Sequence, residues 1–144
     1  MEVSLVSEES MIIKSHKGKY SVTLCEKGTE HLVKNLPDKN YHIIIDKLVA
    51  ELYSDELNLI LNHDSVLQIE ALESNKSLEK MPEYVTHLVN MQVRRDDILI
   101  AIGGGIIQDI TCFLAATLLR GLDWYFYPTT LLAQADSCNG SKSS

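Results

Sequence analysis

One segment constrains the fold of this chain more than any other. Residues 98–119 read ILIAIGGGIIQDITCFLAATLL: a short apolar run, three consecutive glycines, and a longer apolar run. Ile98–Ile102 shows no polar alternation, which predicts a strand covered on both faces, as parallel strands are. Ile106–Leu119 predicts a buried helix that follows directly. Between them stand Gly103, Gly104 and Gly105, three of the seven glycines in the chain. Glycine at such a junction permits either a tight strand-to-helix turn or close approach of the backbone to a phosphate, at which the N–H groups of the helix start would point. The turn alone leaves both readings open. It is not GxGxxG, so the standard Rossmann fingerprint is absent.

The rest of the chain extends the strand–helix pattern. Tyr41–Ile45 (YHIII) is a buried-type strand ending at Asp46, Leu48–Tyr53 is helical, and Ser65–Ile69 is a further strand. Leu78, Met81, Val85, Leu88, Val89 and Val93 recur at helical spacing, with Pro82 near the start where proline is tolerated. Trp124–Tyr127 predicts another strand and Thr130–Ala135 a helical turn. Strand and helix thus alternate after residue 40, the pattern of an α/β fold with a parallel sheet between helices. Upstream, Met11–Ile13 and Tyr20–Cys25 flank a Gly18 turn and predict a β-hairpin, and Glu30–Leu36 predicts a short helix stopped before Pro37.

Composition removes several classes of function. The net charge of −7 comes without a basic block, which disfavours nucleic acid and anionic membrane surfaces as partners. Three cysteines without CxxC spacing argue against a disulfide framework or structural zinc, and for a reducing, cytoplasmic location. The acidic N-terminus has no secretory pattern. The longest apolar run, Ile110–Leu119, falls short of the roughly 20 residues a membrane span needs. The five histidines show neither HxxxH nor HxH spacing, so no metal site is expected. At 144 residues, the chain is one domain or a piece of a larger protein.

Candidate site residues cluster after the strands. Asp109, in the first turn of the helix after the glycines, either complements the helix dipole or binds a sugar hydroxyl. Asp46 either caps the next helix or meets a ribose, since open α/β sheets bind ligands at strand ends. Glu73 and Lys76, three residues apart in LESNKS, read locally as a surface ion pair worth little. Thr129 and Thr130 follow a strand. Asp136 and Lys142 flank a loop of small polar residues able to present a carboxylate and a cation. Cys138 lies beside Asp136, which disfavours a reactive thiolate.

Taken in order, these segments resemble the nucleotide-binding domain of dehydroquinate synthase and related sugar-phosphate cyclases. The shared pattern is the glycine triplet with an aspartate four residues on, then ATLLRG, PTTLLAQ, DS and GSK, with LESNKSLE and IIIDKLVAELY upstream. The likeness covers most of residues 18–144, and its specificity rests on residues 103–144. It implies a Rossmann-like sheet with flanking helices behind the hairpin, and an N-terminal NAD-binding domain over residues 1–144.

By the same resemblance, Asp46, Glu73 and Lys76 contact the adenosine half of NAD. Gly103, Gly104, Gly105, Ile106 and Asp109 hold the pyrophosphate and nicotinamide ribose, while Thr129, Thr130 and Lys142 also line the cofactor. Asp136 and Lys142 meet the substrate, and Arg120 reaches a substrate phosphate in the neighbouring subunit of a homodimer. The implied reaction is the phosphate-eliminating cyclisation of 3-deoxy-arabino-heptulosonate 7-phosphate to 3-dehydroquinate, a step of the shikimate pathway to aromatic amino acids. The family's divalent metal, zinc or cobalt, belongs to a C-terminal domain beyond Ser144, so this chain is expected to be inactive alone. Gln108, Asn139, Ser141 and Ser143 depart from the family pattern beside the substrate. The alternatives are another cyclitol-forming cyclase, a metal-dependent alcohol or glycerol dehydrogenase, and a non-catalytic assembly module.

Overall fold

A computed structural model describes residues 9–15 and 18–135 of the chain. The hairpin is present: β1 (Glu9–Ser15) pairs antiparallel with β2 (Gly18–Leu24), a two-stranded sheet of its own. Gly18 has a φ of 139°, a backbone conformation that favours glycine. Helix α1 (Gly28–Lys34) follows and ends before Pro37.

The main sheet has four parallel strands in the order β4-β3-β5-β6. They are β3 (Tyr41–Asp46), β4 (Val66–Ile69), β5 (Ile98–Gly103) and β6 (Asp123–Pro128). Their connections contain α2 (Lys47–Leu52), α3 (Asn58–Leu61), α4 (Met81–Asn90) and α5 (Gly105–Thr117), and α6 (Leu131–Ala135) follows β6. The central strands explain the missing alternation in the sequence. Ile43, Ile45, Ile98, Ile100 and Ile102 face one way, onto Leu32, Ala50, Leu57 and Ile60. Ile44, Leu99 and Ala101 face the other, onto Met81, Tyr84, Leu88, Ile107, Ile110 and Leu114. Period-2 geometry sends alternate residues to opposite faces, so a sheet covered twice must be apolar at every position. Each buried Ile or Leu there contributes about 1.5–3 kcal/mol.

Some boundaries differ from the sequence expectation. Helix α4 is shorter than Leu78–Val93 because Gln92 adopts a φ of 57°. Val93 N–H then donates to Leu88 O and Gln92 N–H to Val89 O, at 3.0 and 2.9 Å, closing a Schellman-type end without glycine. Helix α5 begins one residue early, at Gly105, and gives way at Leu118 to a 3-10 turn. Asp109 therefore lies beyond the first turn, which contains no acidic residue. Two short elements were not expected: α3, and a 3-10 turn over Glu73–Lys76. Among the described residues, no helix is long and apolar enough to cross a membrane.

Candidate functional site

The chain leaves β3 toward β4 on one side, while β5 and β6 lie on the other. The carboxyl ends of β3 and β5 therefore flank the point where strand order reverses, the place where open α/β sheets form a ligand crevice. Asp46 ends one of these strands and Gly103 the other.

The glycines at this point differ in what they permit. A Cβ on Gly103 would lie 2.6 Å from Ile107 Cγ1, 2.8 Å from Ile107 Cβ and 3.3 Å from Asp46 Cβ. Glycine there lets the first turn of α5 pack onto the strand end. A Cβ on Gly104 would lie 2.9 Å from the Thr130 methyl group. Gly105 has nothing within 4 Å of its Cβ position. None of the three has positive φ, so the requirement is for space rather than for left-handed backbone. Gln108 N–H makes the first backward bond, to Gly104 O at 3.1 Å, and the N–H groups before it have no partner within the helix. Ile106 sits in that first turn, half-buried against the core. Gln108 itself is buried.

Beside this helix start the structure brings together three residues that are far apart in sequence or looked unremarkable there. Lys76 Nζ lies 2.8 Å from Asp109 Oδ2 and 3.0 Å from Glu73 Oε1. The Lys76 and Asp109 side chains are only 22% and 24% exposed, so this is more than the surface pair that the local sequence suggests. The hydrogen bond to Asp109 foremost, then that to Glu73, pushes the Lys76 ammonium pKa up. The turn that presents Lys76 is itself anchored. Asn75 Nδ2 donates to Glu70 O at 2.8 Å, and Tyr84 Oη on α4 donates to Asn75 O at 3.0 Å.

On the far side of the crevice, Asp46 Oδ1 accepts from Leu48 N–H at 3.0 Å and so caps α2. Beyond it lies a depression of about 360 Å³ lined by Asp46, Lys47, Leu48, Glu51, Glu70 and Leu72, among others. Thr129 N–H donates to Gly103 O at 2.9 Å, fixing the end of β6 to the end of β5. Thr130 Oγ1 accepts from Ala133 N–H at 3.2 Å, which starts α6. Asp46, Glu73, Lys76, the glycine turn, Ile106, Asp109, Thr129 and Thr130 thus share the carboxyl edge of the sheet. Arg120 does not join them. It is exposed at the far end of α5, roughly 20 Å along a helix rising 1.5 Å per residue. There Leu119, Arg120 and Gly121 have φ of 50°, 73° and 110° in succession, a strained turn for two side-chain-bearing residues. Asp136 and Lys142 lie outside the described residues.

At the amino edge sits a group that sequence spacing does not reveal. His42 Nδ1 is 2.7 Å from Ser65 Oγ, and its Nε2 is 3.0 Å from Asp97 Oδ2. Asp97 Oδ2 also accepts from Arg94 N–H at 2.8 Å. The three residues are 4–5% exposed, and they stand in or just before β3, β4 and β5. Although they line a depression of about 460 Å³, their burial and their position make them a tie between strands. They are 23 and 55 residues apart in the chain, so no local motif could announce them. Among the described residues, no group of three or more His, Cys, Asp or Glu is placed to hold a metal ion.

A family model described as 3-dehydroquinate synthase N-terminal matches residues 66–144. The 3-dehydroquinate synthase of Shewanella pealeana is 38% identical over 118 residues, covering 80% of this chain and 33% of that protein. That of Dichelobacter nodosus is 44% identical over 102 residues, covering 69% of this chain and 28% of its own length. The chain spans about a third of the length of the curated relatives it matches. A 2-deoxy-scyllo-inosose synthase, solved with carbaglucose-6-phosphate, NAD+ and Co2+, superposes with a TM-score of 0.72 at 19% identity. It covers 90% of this chain and 38% of the other, a likeness of fold. The 2-epi-5-epi-valiolone synthase of Streptomyces hygroscopicus, solved with NAD+ and Zn2+, gives a TM-score of 0.60 at 31% identity, covering 69% and 29%.

Proposed function

This chain belongs to the 3-dehydroquinate synthase N-terminal family, and on that premise we propose that it forms the NAD-holding part of a dehydroquinate synthase-type sugar-phosphate cyclase. The observation that supports this best is the open space at Gly105 beside the Lys76–Asp109 pair. A phosphate has room at the helix start, and a cation and a carboxylate flank it.

The residues fit a dinucleotide laid across the strand ends. The N–H groups at the start of α5, from Gly105 and Ile106, would donate to pyrophosphate oxygens. Gly103 and Gly104 keep that start close to the strand ends. Asp46 caps α2 through Oδ1, which leaves Oδ2 to accept from an adenosine ribose hydroxyl. Lys76 and Glu73 border the same half. Asp109 would accept from the nicotinamide ribose, and Thr129 and Thr130 would line the remaining wall. NAD, when bound, would supply a reversible acceptor for the hydride on a hydroxyl-bearing substrate carbon, so that phosphate can leave beside the transient ketone without net redox change. Asp136 and Lys142 would contact the substrate, and Arg120, held out on its strained turn, would serve the phosphate of a second subunit's substrate. No described residue is given a metal-ligand role.

The substrate proposed is 3-deoxy-arabino-heptulosonate 7-phosphate, with 3-dehydroquinate and phosphate as products. A second reading, another cyclitol-forming cyclase, is supported by the 31% identity to 2-epi-5-epi-valiolone synthase. Calorimetric titration of NAD into the protein, beside Asp109→Ala, tests the cofactor reading. Saturable binding that is weakened or lost in the variant supports it; equal binding by both removes Asp109 from the site. This chain alone is expected to be inactive, so phosphate release from the heptulosonate is assayed with the NAD- and metal-loaded full-length protein. Comparison with a sugar phosphate lacking the carboxylate distinguishes the two substrates.

A further inference from the structure

Lys76 enters the candidate site from a slight element. The turn over Glu73–Lys76 is a 3-10 turn of four residues, and no side chain caps its start. A lysine stem has many rotamers in water, so holding its ammonium 2.8 Å from Asp109 costs conformational entropy. Glu73 offsets little of that, since its side chain is 78% exposed. A firmer support lies behind the turn. Tyr84 on α4 is 4% exposed and belongs to the core cluster that holds Ile107 and Ile110, on either side of Asp109 along α5. Its hydroxyl donates to Asn75 O, the carbonyl of the peptide unit that leads into Lys76. Fixing that carbonyl fixes the plane of the peptide bond, and with it the point from which the lysine side chain departs. One core therefore sets both partners of the Lys76–Asp109 pair. Burial, and after it Glu83, pushes the Tyr84 phenol pKa up, so the hydroxyl stays a donor at neutral pH.

We propose that Tyr84 is a positioning residue for the bound dinucleotide, acting through Lys76: its buried hydroxyl holds the Glu73–Lys76 turn so that the ammonium stays beside Asp109. The inference rests on the dinucleotide reading above and adds how one wall of that site is kept in place. Phenylalanine at this position would fill the core almost as tyrosine does, but would leave the Asn75 carbonyl without its donor. Packing and positioning therefore separate at one atom, the Tyr84 Oη.

The test is calorimetric titration of NAD into the full-length protein as wild type, Tyr84→Phe, Lys76→Met and the double variant, with amide hydrogen exchange measured in the absence of NAD. Tyr84→Phe is expected to weaken NAD binding by about three- to tenfold, the range that loss of one hydrogen bond gives. In the Lys76→Met background the same change should weaken it less than about twofold, because the turn no longer has an ammonium to position. The Asn75 and Ser77 amides close the turn onto Leu72 O and Ser74 O. Their exchange should quicken in Tyr84→Phe, while the Leu88 and Ile110 amides of α4 and α5 keep their rates. Wild-type NAD affinity in Tyr84→Phe overturns this inference alone, as does an equal loss with and without Lys76. Exchange that quickens evenly through α4 and α5 makes Tyr84 a core residue only and overturns it too. No NAD binding by wild type overturns the dinucleotide reading and the inference with it.

Discussion

Gly103 and Gly105 sit two residues apart in one turn, yet a methyl group added at each would do different damage. At Gly103 it would press on Ile107 at 2.6 Å, against a residue of the buried core. Gly103→Ala should therefore lower unfolding stability by about 1–3 kcal/mol, as overpacking does. At Gly105 the space is open, so Gly105→Ala should unfold in urea close to wild type, within about 1 kcal/mol. Its expected effect is weaker NAD binding; undiminished binding would deny Gly105 its place under the phosphate. His87 gives a second residue-scale expectation. Its buried Nε2 has no hydrogen-bond partner among the described residues, and burial first, then the nearby His42, holds its pKa below the ordinary imidazole value. The unfolded chain then binds more protons than the folded one below about pH 6.5. Stability from this source is complete above that pH and is lost as pH falls through the depressed value. Thermal unfolding of His87→Leu should accordingly fall less between pH 7 and 5 than that of wild type; parallel curves would remove His87 as the cause.

At the scale of elements, the two edges of the sheet are held by different means. At the carboxyl edge a backbone bond from Thr129 N–H to Gly103 O joins the strand ends, and the partly exposed Lys76–Asp109 pair joins the Glu73–Lys76 turn to α5. The amino edge is tied by the buried side chains of Ser65, His42 and Asp97. Asp97→Ala would leave His42 and the Arg94 N–H without their shared acceptor, at a cost of about 2–4 kcal/mol. Denaturant unfolding would measure this, and a loss under about 0.5 kcal/mol would show that the tie is not needed. These elements also mark how far the sequence can be read. The strands were legible because burial on both faces demands unbroken apolar runs, and the hairpin because Gly18 supplies its positive φ. The end of α4 was not, since Gln92 fills a position where glycine is the usual signal. The 3-10 turn at Glu73–Lys76 was not either, because Asn75 and Tyr84 hold it through tertiary bonds.

Across the whole molecule, the candidate site is assembled from strands and a helix that share the two cores, together with turns at their carboxyl ends. The ends of β3 and β5, the Glu73–Lys76 turn, the start of α5 and the β6–α6 junction meet only at the carboxyl edge. The local pattern placed the glycine turn and the two threonines at strand ends, and the structure has them there. The pairing of Lys76 with Asp109 was not legible in that pattern, because 33 positions separate them and only the sheet order brings them close. A ligand spanning such an edge joins elements that cover both faces of the sheet, so its binding should stabilise the fold as a unit. By mass action, NAD at 100 times its dissociation constant would add about 2.7 kcal/mol. The midpoint of thermal unfolding should therefore rise with NAD concentration, with hydrogen-exchange protection gained together at the ends of β3 and β5 and in residues 73–76. In Asp109→Ala the rise should shrink and the protection should be lost first around Lys76, which loses its partner at 2.8 Å. Protection confined to α5 would mean that the helix start binds a phosphate alone, without the span across the strand ends that a dinucleotide requires.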